Sequence, residues 1–156
     1  MAGKLHDYFC SVADARFVMR KATRIVDELA KQRGLDPLEH QALIQIYGAR
    51  TDVLVRTVAE RLDVSPTFAS KLVKALVVAK LVTYHDSPTD LRASLVRASA
   101  QGVRLLREID AEVRLQVNAF TRSLPPESKS AALAIFAFYV QGAKAVRVTR
   151  KRKIGA

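Results

Sequence analysis

Residues 57–97, TVAERLDVSPTFASKLVKALVVAKLVTYHDSPTDLRASLVR, decide the fold. The stretch opens on a capping box. Thr57 is placed to accept from the amide of Glu60, and the Glu60 side chain to reach back, which predicts a short helix with Val58, Ala59 and Leu62 facing inward. Asp63-Val64-Ser65 breaks that helix. Ser65 is a strong N-cap and Pro66 suits the first helical position, where its fixed φ and missing N–H cost nothing. A second helix is predicted from Pro66 to about Lys80, with an apolar stripe of Ala69, Leu72, Val73, Leu76 and Ala79 at helical spacing. Its opposite face carries Thr67, Ser70, Lys71 and Lys74. Then come β-branched and aromatic residues (Leu81 to His85), a run of turn formers (Asp86 to Asp90) and a further extended segment from Leu91 to Arg97. Helix, tight turn, N-capped helix and β-hairpin is the order of a winged helix-turn-helix. That arrangement presents the leading end of its second helix to base edges in a major groove. Ser and Thr can donate or accept there, and Lys reaches guanine or phosphate. A helical hairpin in an ordinary bundle, with these polar residues merely solvated, is the competing interpretation.

Asp90 and Arg92 stand two apart, so they are expected on one side of an extended strand at the tip of the wing. A carboxylate there holds a guanidinium in place, and Arg suits a narrow, electronegative minor groove.

Outside this stretch the chain reads as long helices. From Leu5 to about Gln32, apolar residues fall at 5, 8, 9, 12, 15, 19, 22, 26 and 29, close to a 3.5-residue repeat. Gly34 ends that helix, and Asp36 and Pro37 open the next, predicted to run to about Tyr47. Val53 to Val55 is read as a short strand pairing with the wing. A fifth helix is predicted from about Ser99 to Arg122, with Val103, Leu106, Val113, Val117 and Phe120 at heptad spacing and Asp110 as an interruption. Pro125-Pro126 break it, and a sixth runs from about Glu127 to Val148. Residues 131–140 are apolar on every side of that helix, which calls for burial all round. Two copies of helices one, five and six covering one another would supply it, so a homodimer is expected. Its two-fold axis would set two recognition helices on the half-sites of a palindromic operator.

The expected fold class is therefore mainly α: a winged helix-turn-helix with a small antiparallel β wing plus long N- and C-terminal dimerisation helices. The whole of 1–156 is one unit, with 35–98 the winged DNA-binding part, 1–34 and 99–148 the helical dimerisation part, and 149–156 a basic tail.

Composition agrees. The chain has 156 residues, 49% of them hydrophobic, enough to fill a core. Its formal net charge of +11 favours a polyanionic partner, nucleic acid first. Charge alone leaves sequence-specific and non-specific binding open, since phosphate contacts supply affinity in both. The segment 147–153 has five basic residues in seven, which keeps a non-specific architectural DNA-binding protein in view. The opening residues MAGKLHDYFC, mixed polar and apolar, do not read as a signal peptide, and no apolar run reads as long enough to span a bilayer. One cysteine excludes an internal disulfide framework, and the expected location is the cytoplasm. His6, His40 and His85 are scattered, with no metal-ligand spacing, and no P-loop or dinucleotide fingerprint occurs. No enzyme, metal or cofactor is expected.

The chain resembles the MarR family of transcriptional regulators. The residues that carry the resemblance are Leu35-Asp36-Pro37-Leu38-Glu39-His40-Gln41, Val58-Ala59-Glu60-Arg61-Leu62, Val64-Ser65-Pro66, Leu72-Val73-Lys74-Ala75-Leu76, Lys80-Leu81-Val82 and Asp90-Leu91-Arg92. Four departures stand out: Lys80 where Gly is frequent, Arg56 where a small N-cap is frequent, Phe68 in place of a small polar residue, and Ala98 to Gly102 in place of Leu-Thr-x-x-Gly. The resemblance implies a DNA-binding regulator, most often a repressor, with Arg92 entering the minor groove and Asp90 orienting the wing. It also implies release by a small anionic ligand, such as an aromatic acid or its CoA thioester. Arg16, Arg20 and Arg24, one turn apart on helix one, are candidates for the anion, and Tyr8, Phe9, His40 and Tyr47 for the rest of the site; a solvated basic face is the plain alternative. Some members of the family sense peroxide through a cysteine in helix one, which makes Cys10, with Tyr8 and Tyr47 nearby, a candidate redox switch.

Overall fold

A computed structural model describes residues 2–90 and 93–142. Six helices and three short strands follow in the order α1 (Ala2–Gln32), α2 (Pro37–Gly48), β1 (Val53–Leu54), α3 (Val55–Leu62), α4 (Pro66–Val78), β2 (Val82–Asp86), β3 (Ser94–Ala98), α5 (Ala100–Ser123) and α6 (Pro126–Gln141). The fold is a mainly helical winged helix with a small antiparallel sheet. The chain divides into two compact units: one comprises residues up to Ile25 together with those from Leu115 onward, the other Val26–Arg114.

The second unit is built on its helix ends. Asp36 Oδ1 accepts from the Leu38 amide at 2.9 Å and Glu39 reaches back to the Asp36 amide at 3.2 Å, a capping box with Pro37 at the first position of α2. Ser65 Oγ accepts from the Phe68 amide at 3.2 Å and starts α4 as the sequence predicts. The other ends close with paired bonds of the Schellman type. After α1, the Leu35 amide donates to Ala30 O and the Gly34 amide to Lys31 O, both at 3.0 Å, with Gly34 at φ 81°. After α3 the pattern repeats around Asp63 (φ 54°), and after α4 around Lys80 (φ 60°), where the Leu81 amide donates to Leu76 O at 2.9 Å. Leu35 and Leu81, the residues just beyond two of these caps, are buried. Lys80 thus occupies a left-handed position that favours glycine, the physical content of one departure noted above.

The core of this unit gathers Leu43 and Ile46 of α2, Val58 and Ala59 of α3, Leu72, Val73 and Leu76 of α4, and Val82 and Val96 of the sheet. Each fully buried Leu or Val contributes about 1.5–3 kcal/mol relative to exposure. The strands lie in the order β1-β3-β2, all antiparallel, with Tyr84 opposite Val96 and Val53 opposite Val96 on the other side. An Arg97–Asp52 ion pair ties β3 to the segment before β1. Ser99 closes the wing onto α5. Its hydroxyl donates to Lys80 O at 2.7 Å and accepts from the Gly102 amide at 3.0 Å, so it caps the start of α5. Gly102 is packed so closely that a Cβ would stand 2.2 Å from Leu81 O.

Four expectations are corrected. Thr57 is not the cap of α3: β1 runs directly into the helix, whose N-cap is Leu54, without a side-chain bond. Pairing of Val53 and Leu54 with β3 fixes where the helix starts, and Arg56 takes Glu60 as its partner at 3.6 Å. Val55 accordingly belongs to α3 and not to the strand. Ala79 is exposed, because α4 ends at Val78 and the Lys80 cap turns the chain away. Asp110 does not interrupt a buried seam: it is exposed and bound to Arg114 Nε at 2.6 Å, while Gly102, Leu106 and Ile109 are the buried residues of α5.

In the first unit Phe17 meets Phe120 edge-on at 6.1 Å between centroids, and Ser128 Oγ donates to Asp14 at 3.3 Å. Ala15, Leu124 and Ile135 are buried, but much of its apolar surface is not. On α6, Leu133, Phe136, Tyr139 and Val140 are all at least half exposed in the single chain. The stretch beyond 142, including the end of the predicted sixth helix and the basic tail 149–156, lies outside the described residues.

Candidate nucleic-acid interface

The residues of α4 that were singled out from its sequence share one outward face. Ala69, Leu72, Val73 and Leu76 anchor the opposite face in the core, so helical geometry turns Thr67, Lys71 and Lys74 to solvent, with Ser70 half-buried beside them. Ser65 and Pro66 stand exposed at the leading end. The amides of the first turn point the same way, and the helix dipole adds a partial positive charge there. Phe68 is 38% exposed on this turn.

Beside this face a cleft of ≈ 540 Å³ opens between α4 and the wing. Ser70 and Lys74 line one side, and Tyr84, Asp90 and Ser94 the other. Arg56, at the start of α3, lies at the same cleft. Three residues chosen from sequence, Ser70, Lys74 and Asp90, are therefore brought together. Arg56 and Tyr84 were missed. Arg56 had been weighed only as a helix cap and Tyr84 only as a strand former, and the cleft arises from a helix-to-strand packing that no local pattern encodes.

The wing loop differs from the sequence expectation. Asp90 is not on a strand, because β3 begins only at Ser94, and Asp90 O accepts from the Ala93 amide at 3.0 Å. The loop is held instead by Ser87, a buried serine whose Oγ accepts from the Asp90 amide at 3.2 Å and the Thr89 amide at 3.4 Å. Such short side-chain-to-backbone bonds are how Ser stabilises turns. Arg92, the residue expected to enter the minor groove, lies outside the described residues.

The remaining candidates fall into the two units. Tyr8, Phe9, Arg16, Arg20 and Arg24 are exposed along α1 within the first unit. His40 and Tyr47 belong to the second, where both line a cavity of ≈ 420 Å³ with Ile44, Leu106, Ile109 and Arg107. His40 is buried, and burial pushes its imidazole below the ordinary value of 6.5, opposed by the charge of Asp27. Cys10 is exposed, its Sγ 3.5 Å from His6 Nε2. Among the described residues no cluster of three or more metal-ligating side chains occurs. No described helix is long and apolar enough to cross a membrane.

Comparison with known proteins sets this geometry in context. Residues 33–93 match the MarR family. None of the curated proteins matches the sequence. Several solved structures share the fold. The YusO protein from Bacillus subtilis is 20% identical with a TM-score of 0.66, the match covering 92% of this chain and 99% of that one. CouR from Rhodococcus jostii, bound to p-coumaroyl-CoA, is 21% identical with a TM-score of 0.63 over 80% of this chain and 87% of its own. A mutant of S. aureus MepR bound to an oligodeoxyribonucleotide is 15% identical with a TM-score of 0.61 over 81% and 92%. At these identities the likeness is one of fold.

Proposed function

We propose, on the match of residues 33–93 to the MarR family, that the chain is a dimeric, sequence-specific DNA-binding regulator, a repressor that a small ligand releases from its operator. The observation that carries this reading is the α4–wing face. An N-capped helix presents Thr67, Lys71 and Lys74 to solvent, and a cleft joins Ser70 and Lys74 to Asp90 of the wing. In this reading Ser65, Pro66, Thr67 and Ser70 meet base edges, and Lys71 and Lys74 take guanine or phosphate. Arg92 reads the minor groove with Asp90 beside it. Arg56 and Tyr84 add phosphate contacts at the cleft.

Dimerisation is proposed through residues 1–34 and 99–148, with 35–98 as the DNA-binding part. The half-exposed apolar side chains of α6 support it, since apolar patches of that kind mark association surfaces. The DNA-bound MepR structure supports duplex DNA as partner, and the CoA thioester in CouR supports an anionic aromatic effector, for which Arg16, Arg20 and Arg24 are the basic candidates. The test is selection of duplex DNA from a random library by the full-length protein. The reading requires an enriched inverted repeat with half-sites about one helical turn apart; enrichment of no common sequence would overturn it.

A further inference from the structure

Beyond Pro66, the first two turns of α4 present a polar surface except at one point. Thr67, Lys71 and Lys74 are exposed there and Ser70 is half-buried, whereas Phe68 is an aromatic side chain left 38% exposed. Helical geometry sets Thr67 and Lys71 opposite the buried stripe of Ala69, Leu72, Val73 and Leu76. Ser70 and Lys74 lie on the flank that lines the wing cleft, and Phe68 on the other flank. A single exposed Phe elsewhere on a surface calls for no explanation. This one stands at the third position of the N-capped helix, on the end that a helix-turn-helix directs to base edges. Its amide donates to Ser65 Oγ at 3.2 Å, so the cap that starts the helix also fixes the backbone from which the ring projects. Two rotatable bonds leave such a ring little freedom to lose when a partner covers it.

The chemistry of a phenyl ring narrows what it can meet in a major groove. It neither donates nor accepts a hydrogen bond. Set against O6 and N7 of guanine, or N6 and N7 of adenine, it would strip those groups of water and leave them unpaired, which is costly. Thymine alone among the four bases adds an apolar group at the groove, its 5-methyl. Cytosine lacks that group unless it is methylated at the same carbon.

We propose that Phe68 is a specificity-determining residue that reads the 5-methyl group of a pyrimidine, thymine or 5-methylcytosine, in each half-site. This rests on the proposal that α4 enters the major groove, and it adds a preference that the polar residues of the helix do not supply. It also gives a part to the residue that departs from the small polar side chain frequent at this position.

The test measures binding of the full-length protein to its selected operator by fluorescence anisotropy at one salt concentration, with each thymine replaced in turn by deoxyuridine, which lacks only the methyl group. One position in each half-site should lose about three- to fivefold in affinity, the effect of one buried apolar carbon. With a C·G pair placed there, 5-methylcytosine should bind tighter than cytosine by a similar factor. Phe68→Ala should erase both differences. Irradiation of the unsubstituted complex carrying 5-iododeoxyuridine at that position should crosslink the base to Phe68, identified by peptide mass; should Phe68→Ala not fold, the crosslink decides alone. A methyl dependence that survives Phe68→Ala, or a crosslink to another residue, would overturn the assignment. A selected operator indifferent to every thymine methyl would overturn it and leave the regulator reading standing, whereas selection of no sequence would overturn both.

Discussion

Single residues hold the wing in register, and their chemistry makes sharp predictions. Gly102 passes so close to Leu81 that no side chain fits: its Cβ would lie 2.2 Å from a backbone oxygen. Gly102→Ala should cost about 2 kcal/mol or more, seen as a lowered urea midpoint, because neither backbone can move without disturbing the Ser99 cap. Lys80 is the opposite case. It bears a Cβ at φ 60°, so Lys80→Gly should raise the same midpoint by about 0.5–1 kcal/mol. His40 links stability to pH. Its native value is lowered by burial, so the unfolded chain binds the proton more readily. The stabilisation is complete above 6.5 and is lost as pH falls from there through the lowered native value. Denaturant titrations at pH 7.5 and 5 should show this loss, and His40→Gln should reduce it. Much at this scale was readable in advance. Ser65, Pro66 and Asp36 carry their conformations in their own chemistry, whereas Ser87 and the His40 Nδ1 take their meaning from neighbours remote in sequence.

At the scale of elements, α4 and the wing act as one surface. The sequence marks α4 unambiguously, since its cap, its proline and its four buried apolar positions agree. It mistakes the start of α3, because the fixed point there is a two-residue strand held by β3, a tertiary pairing that overrides the local capping pattern of Thr57 and Glu60. It also reads Asp90 as part of a strand, where the Ser87 loop intervenes. The cleft that joins α4, α3 and the wing yields a prediction of its own. Lys74→Ala and Arg56→Ala should each weaken binding to all DNA sequences nearly equally and lower the slope of log K against log salt by about 1. Ser70→Ala should instead relax preference at one base position, read from binding to a panel of single-base variants. An unchanged salt slope for both basic variants would remove the cleft from the interface.

Across the whole molecule, a compact winged unit is joined to a unit whose apolar surface is far from covered. Residues 131–140 read as buried all round in sequence, yet Leu133, Phe136, Tyr139 and Val140 are at least half exposed in one chain; in the proposed dimer a second copy covers them. Leu133→Glu combined with Phe136→Glu should therefore shift the protein from dimer to monomer in sedimentation velocity and lower operator affinity, with the fold of the winged unit unchanged by circular dichroism. Retention of a dimer would assign those residues elsewhere. The net charge of +11 gives any such dimer a general attraction for DNA, so affinity alone cannot establish regulation. The decisive measurement is competition, at one fixed salt concentration, between the selected inverted repeat and random duplex of equal length. A specific regulator is expected to prefer the repeat by roughly 10³-fold or more; a ratio near one would contradict the account and leave a basic protein that coats DNA without reading it.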